Sequence, residues 1–117
     1  MRAACLAICL AAPLPAAAHD GAHAPDVLSR VEAATASGAE VRVRLTLTGL
    51  GGPLHLRAAQ ASGAIAASFA PITVEFAQDV TVDLTLAYPN VPPGIIALML
   101  DFGVAGTGVV TVIPVPE

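Results

Sequence analysis

The sequence predicts an all-β fold, an antiparallel β-sandwich built as a single domain. The stretch EVRVRLTLT, residues 40 to 48, alternates apolar and polar side chains without exception, which is typical of a strand with one buried face. Further alternating runs follow, separated by turn sequences rich in glycine and proline at intervals of roughly ten residues. A chain of 117 residues has room for one such domain.

The amino terminus has the pattern of a secretory signal. Arg2 supplies the positive charge, AACLAICLAA the apolar segment, and small residues at 16 and 18 the cleavage site. We expect cleavage after Ala18, which makes His19 the first residue of the exported chain. Cleavage after Ala22 or Ala24 is the alternative. The expected location is therefore periplasmic or secreted.

The chain then divides into a signal at 1–18, a polar lead-in segment at 19–39 and the β-sandwich domain at 40–117. Both cysteines lie within the signal, so the exported chain would carry no thiol and no disulfide.

Without Arg2 the five basic residues become four against nine acids, a net charge of about −5. A nucleic-acid partner needs a basic stripe and is excluded. No membrane span is expected after signal cleavage.

The first segment, DVLSRVEAATASG at 26–38, has two interpretations. Val27, Leu28 and Val31 share one face of a short helix with Asp26 as its N-cap. No apolar residue continues that pattern, so a strand or an irregular lead-in fits equally well. The strand EVRVRLTLT follows, then the turn GLGGP and a second alternating run, LHLRAAQA. The segment SGAIAASFAP has no clear pattern.

The second half predicts four further strands. ITVEF and VTVDLTLAY alternate and are joined by AQD, either as a hairpin or as an arch between sheets. PNVPPG is a stiff turn, since proline cannot continue a central strand. IIALMLDF is typical of a buried strand, GVAGTG of a glycine turn and VVTVIPV of a closing strand.

Catalysis is not expected. A nucleophile needs a base within hydrogen-bond reach, and two of the three histidines lie in the polar segment that precedes the strands. Glu75 and Asp83 fall on outward positions, where solvated surface is the usual role of a carboxylate.

Metal binding has better support in the segment AAAHDGAHAPD. Cleavage after Ala18 would give His19 both a free α-amino group and an imidazole, a chelate that suits copper(II), with Asp20 and His23 within reach of the same ion. Imidazole ligands must be neutral, so binding would weaken below about pH 6. The alternative is that this polar start serves solubility alone.

Two further side chains are candidate ligands. His55 falls on the polar side of its strand, where a lone histidine more often has no ligand role. Met99 falls on the face opposite Leu98 and Leu100, and core filling is the usual role of a methionine in such a strand.

The order of segments resembles the periplasmic copper chaperones of the PCu(A)C family. VRLTLTGLGGPLHLRAAQAS is similar to their early strands, PPGIIALMLDFGV to their PGGYHLMLMGL strand, and GTGVVTVIPV to their closing strand. The resemblance covers residues 40 to 115. It implies a cupredoxin-like β-sandwich that holds copper through histidine and methionine and delivers it to a copper-accepting oxidase subunit or another periplasmic protein.

Position by position, most of the family's ligands are missing. Its late histidine falls on Ala97 and the methionine two residues on falls on Met99, whereas the segment that carries the earlier pair is shortened to AIAASFAPITVEF and contains neither. Copper would then be held by His19 and His23, with His55 or Met99. The second hypothesis is an exported interaction or assembly module without metal, acting through a sheet edge.

Overall fold

A computed structural model describes residues 26–117, which form ten β-strands and one turn of 3₁₀ helix at Gly103–Ala105. The strands are β1 (Val27–Ser37), β2 (Glu40–Gly49), β3 (Leu54–Leu56), β4 (Ala58–Ala61), β5 (Ala66–Ser68), β6 (Ile72–Val74), β7 (Asp79–Ala87), β8 (Ile96–Asp101), β9 (Thr107–Val112) and β10 (Val115–Pro116). The predicted all-β class is confirmed. The predicted signal, with His19 and His23 beyond it, lies outside the described residues.

The strands form three hydrogen-bonded sheets. One has five strands in the order β10-β1-β2-β7-β5, one has three in the order β4-β8-β9, and β3 pairs with β6. Neighbouring strands run antiparallel, as predicted, except that β10 lies parallel to β1 at Thr35 and Ala36. In the part of the chain that the structure describes, no helix is long and apolar enough to cross a membrane.

The inward faces of the sheets meet in one hydrophobic core. Ten inward positions of β2, β7 and β8 are at most 3% exposed: Val41, Val43, Leu45, Leu47, Val82, Leu84, Leu86, Ile96, Leu98 and Leu100. Burying one such side chain contributes about 1.5–3 kcal/mol to folding. The alternation in the sequence therefore places these side chains correctly, and the sandwich is stabilised mainly by aliphatic packing.

The segment with two interpretations forms β1, the longest strand described. Its pairing with β2 shifts between Val31 and Ala33, so that Glu32 forms a β-bulge. Val27 is buried before the bulge and Ala34 after it, and the inward positions therefore change from odd to even numbers. The predicted lead-in segment thus supplies a full strand of the sandwich.

The run LHLRAAQA is two strands rather than one. The chain changes sheets at Arg57, whose backbone N–H donates to the carbonyl oxygen of Asp101 at 2.8 Å. β3 before this point pairs with β6, and β4 after it pairs with β8. The AQD link is likewise an arch and not a hairpin, because β6 and β7 pair in different sheets.

Candidate functional site

Within residues 26–117 the predicted metal ligands do not converge on one point. His55 lies on β3 opposite Thr73 of β6, and Met99 lies on β8 between Gln60 of β4 and Val109 of β9. The chain changes sheets at Arg57, between His55 and Gln60, so the two candidate ligands lie in different sheets.

The imidazole of His55 is held on the protein surface. Its Nδ1 lies 3.0 Å from Oγ1 of Thr73, a cross-strand hydrogen bond between two exposed side chains. Histidines that bind metal commonly donate one ring N–H to a fixed partner and coordinate through the other nitrogen. His55 has such a fixed partner in Thr73. Among the described residues, no three histidine, cysteine or acidic side chains are close enough together to hold a metal ion.

Met99 does not fill the core, so the prediction of a core role is wrong. Its side chain is 44% exposed because β8 alternates strictly and buries Leu98 and Leu100 on its other face. The same alternation agrees with the predicted placement of Leu98 and Met99 on opposite faces of this strand. β8 has one buried face and one solvent-facing one.

Three carboxylates, those of Glu32, Glu40 and Asp83, form ion pairs on the surface. The guanidinium of Arg44 donates from Nε to Oδ1 of Asp83 at 2.8 Å. This hydrogen bond, together with the positive charge of Arg44, lowers the pKa of the Asp83 carboxyl. A hydrogen bond from Thr46 lowers the pKa of Glu32, and Arg30 adds to the effect. These groups stay charged at neutral pH, which is the state of a solvated surface and not of a poised general base.

The outward side of the three-stranded sheet is a largely uncharged surface, which we call the outer face. It consists of the side chains that point away from the core on β4, β8 and β9, with two isoleucines just beyond the strand ends: Ala58, Gln60, Ile95, Ala97, Met99, Asp101, Thr107, Val109, Thr111 and Ile113. Asp101 is its one charged residue and lies at a corner, beside Thr107. Ile95 and Ile113 are 69% and 64% exposed. The apolar centre of this surface is Met99 beside Val109.

Strand β9 is the open edge of this surface. In the described part of the chain it hydrogen-bonds to β8 alone, and its other edge has no strand partner. Its register with β8 runs from Thr107 to Val112 without a bulge, and the strand TGVVTV contains no charge and no proline. Natural sheet edges are usually protected by bulges, charges or prolines, because an open edge offers unpaired N–H and C=O groups to another strand.

The other long edge of the sandwich, at β1, is protected. Glu32 forms the bulge, and its carboxylate accepts a hydrogen bond from Nε of Arg30 at 2.8 Å. β10 covers the end of the strand at Thr35 and Ala36. Of these two edges, β9 is the one without charge, bulge or a paired end strand, although Cα atoms of β1 in the five-stranded sheet come within 8 Å of it. The sequence signal for it, an uncharged alternating run without proline, is visible once the strand is known to lie at an edge.

The fold and this surface define the class of the protein, an all-β sandwich with an open, uncharged sheet edge. Comparison of the chain with models of protein families, with curated proteins and with solved structures finds no match.

Proposed function

We propose that the protein is a non-catalytic β-sandwich module that binds a protein partner by accepting an extended strand at β9. The observation that supports this function is the edge itself, which is six residues long, regular in register, and free of charge, bulge and proline. Added strands gain affinity from main-chain hydrogen bonds and specificity from alternate side chains.

The chemistry of the edge defines the kind of strand it accepts. The outward side chains of β9 are Thr107, Val109 and Thr111, so the neighbouring strand carries small β-branched or hydroxyl side chains at matching positions. A proline in the centre of that strand removes a donor and prevents pairing.

Amide hydrogen exchange with a peptide probe tests the proposal. The probe is TGVVTVI, the sequence of residues 107–113, with two lysines added at each end for solubility. With the protein at about 1 µM and the peptide at about 1 mM, we expect at least roughly tenfold slower exchange of β9 amides. The matched control peptide carries proline in place of its central valine and gives no protection. Unchanged exchange with the first peptide would overturn the proposal.

Copper binding is the second candidate, and a different observation supports it. His55 has its Nδ1 fixed by Thr73, so its other ring nitrogen is available as a ligand. We propose that any copper is held chiefly by His19 and His23 of the exported chain, with His55 as a further imidazole and Met99 as the alternative thioether. The copper would be cargo for a copper-accepting periplasmic protein, as the PCu(A)C resemblance implies.

A further inference from the structure

We infer that the strand accepted at β9 is the β9 strand of a second copy of this chain, so that two sandwiches share one six-stranded sheet. The inference rests on the proposed function, since it requires that the β9 edge accepts a strand. It adds the identity of the partner and the register of the pairing.

Symmetry permits this pairing. A twofold axis perpendicular to the sheet makes two β9 strands antiparallel and keeps inward faces with inward faces. Odd-numbered residues then oppose odd-numbered ones, because side chains alternate along the strand. With the axis at Val109, Val109 faces its own copy, Thr107 faces Thr111, and Gly108 faces Val110.

The pairs that result fit in size and chemistry. On the outer face, Thr107 opposes Thr111 and Val109 opposes Val109, and both hydroxyl pairs and β-branched pairs are favourable across antiparallel strands. On the inner face, Gly108 opposes Val110, so the smallest residue of the strand lies beside a larger one. Met99 lies beside Val109 in each copy, and the outer face becomes continuous across the junction.

Charge does not oppose the pairing, although the protein as a whole is acidic. Within each copy, Asp101 lies beside Thr107 and Ala97 lies beside Thr111. Across the junction Thr107 faces Thr111, so Asp101 of one copy is in line with Ala97 of the other. The two Asp101 carboxylates therefore fall at opposite corners of the joined sheet. The β1 edge differs, because Arg30, Glu32 and the bulge would place like charges and an irregular backbone against themselves.

Sedimentation equilibrium of the exported chain tests the inference. For an interface of this small size we expect association between about 10 and 300 µM, with a mass that approaches twice that of the monomer. Val109→Lys places two ammonium groups against each other at the axis, and we expect it to weaken dimerisation at least roughly tenfold. Leu28→Lys, an exposed position on the β1 edge, is the matched control and leaves dimerisation unchanged.

A cross-link checks the register independently of stability. In the exported chain, from which Cys5 and Cys9 are removed with the signal, Val109→Cys is expected to form a disulfide-linked dimer on mild oxidation, and Leu28→Cys is not. Circular dichroism melting shows whether each variant keeps its fold. A wild-type chain that stays monomeric up to about 300 µM, or one that dimerises without cross-linking at 109, would overturn the inference. If the chain is monomeric but the peptide protects β9, the proposed function stands and only the identity of the partner is wrong.

Discussion

At the scale of single residues, Gly49 and Tyr88 show how closely the ends of the sandwich are packed. Gly49 ends β2, and its backbone N–H donates to the carbonyl oxygen of Gln78 at 3.0 Å while its own oxygen accepts from Ala77 at 2.9 Å. A β-carbon at Gly49 would overlap the carbonyl oxygen of Glu75. The arch between β6 and β7 therefore lies directly against this residue, and Ala77 takes a left-handed φ of 60° within it.

The first prediction concerns this contact. Gly49→Ala is expected to lower the free energy of unfolding by about 1–3 kcal/mol, because the added methyl group forces backbone apart. Gly52→Ala is the matched control, since a β-carbon there meets nothing within 4 Å, and its effect is expected to stay within about 0.5 kcal/mol. Urea denaturation measures both. Equal stability of the two variants would contradict the close approach at Gly49.

The second prediction concerns Tyr88, whose hydroxyl is buried without a hydrogen-bond partner in the described residues. Tyr88→Phe removes this unsatisfied group and is expected to raise the free energy of unfolding by up to about 1 kcal/mol at pH 7. A loss of more than about 1 kcal/mol would instead show that the hydroxyl has a bonding partner.

Burial also raises the pKa of Tyr88 above its usual value of 10.0. The unfolded chain therefore ionises this tyrosine first, so stability is retained below about pH 10 and lost as the pH rises toward the higher folded-state pKa. The chain has one tyrosine and no lysine. The advantage of Tyr88→Phe over the wild type should thus widen above pH 10, which denaturation between about pH 9 and 11.5 measures.

At the scale of elements, the outward side of β1, β2 and β7 is polar and cross-linked by side chains. Arg44 opposes Asp83 across β2 and β7, and Thr48 donates its hydroxyl hydrogen to Asp79 at 2.7 Å. These pairs differ from the outer face of the three-stranded sheet, where charge is almost absent. The two sides of the sandwich are thus chemically distinct, and the polar one remains solvated.

The third prediction concerns the pair Arg44 and Asp83. The folded-state pKa of Asp83 is lowered from 3.8, so its contribution is present above about pH 4 and is lost as the pH falls through the lowered value. Asp83→Asn should therefore be less stable than the wild type at pH 7, and the difference should shrink as the pH is lowered toward about 2.5. Both groups are exposed, so added salt should reduce the difference.

Glu75→Gln is the control for this pair, since Glu75 is exposed and its carboxylate makes no ion pair within residues 26–117. It should resemble the wild type at both pH values. A difference between Asp83→Asn and wild type that persists unchanged at pH 2.5 would show that the effect is not the ion pair.

At the scale of the whole molecule, the sandwich and the histidines that precede it are separate parts of the chain. The core is formed by strands from Val27 onward, and both proposed docking contacts use β9. The proposed copper binding would depend instead on His19 and His23, which precede the first strand in the sequence. The two proposed functions can therefore be tested independently.

The fourth prediction uses this separation. If the exported chain begins at His19, changing both His19 and His23 to alanine should weaken copper(II) binding by at least roughly tenfold, because the chelate is lost. The melting temperature and the dimerisation of the sandwich should not change. Isothermal titration with copper(II) measures the affinity, and sequencing of the amino terminus establishes the first residue.

His55→Ala and Met99→Ala are the controls for the copper experiment. A smaller loss with His55→Ala would support a supplementary imidazole at that position, whereas a loss confined to Met99→Ala would point to the thioether instead. Copper binding unchanged in the variant without His19 and His23 would contradict a site in that segment. Absence of copper binding in the wild type would leave the interaction module as the function.

Much of this architecture was predictable from local pattern alone. The strict alternation of β2 and β7 identified their buried faces. Successive side chains of a strand point to opposite faces of the sheet, so the apolar positions of an alternating run all lie on the buried face. The placement of Leu98 and Met99 on opposite faces was also predicted, although the core role expected of Met99 is wrong. The sequence pattern did not identify β1 as a strand, because one extra residue at Glu32 reverses the inward positions halfway along it.

The sequence by itself determined the fold class, the inward residues of the regular strands and the scarcity of metal ligands after residue 23. Only the tertiary structure decided that LHLRAAQA crosses between sheets, that β1 carries a bulge and a covered end, and that β9 lies at an open edge. The physical reason is that burial of a side chain follows from local alternation, whereas sheet order and edges depend on pairing between strands distant in the chain. The same uncharged residues TGVVTV would be unremarkable in the middle of a sheet, and their position at its edge makes them a candidate interface.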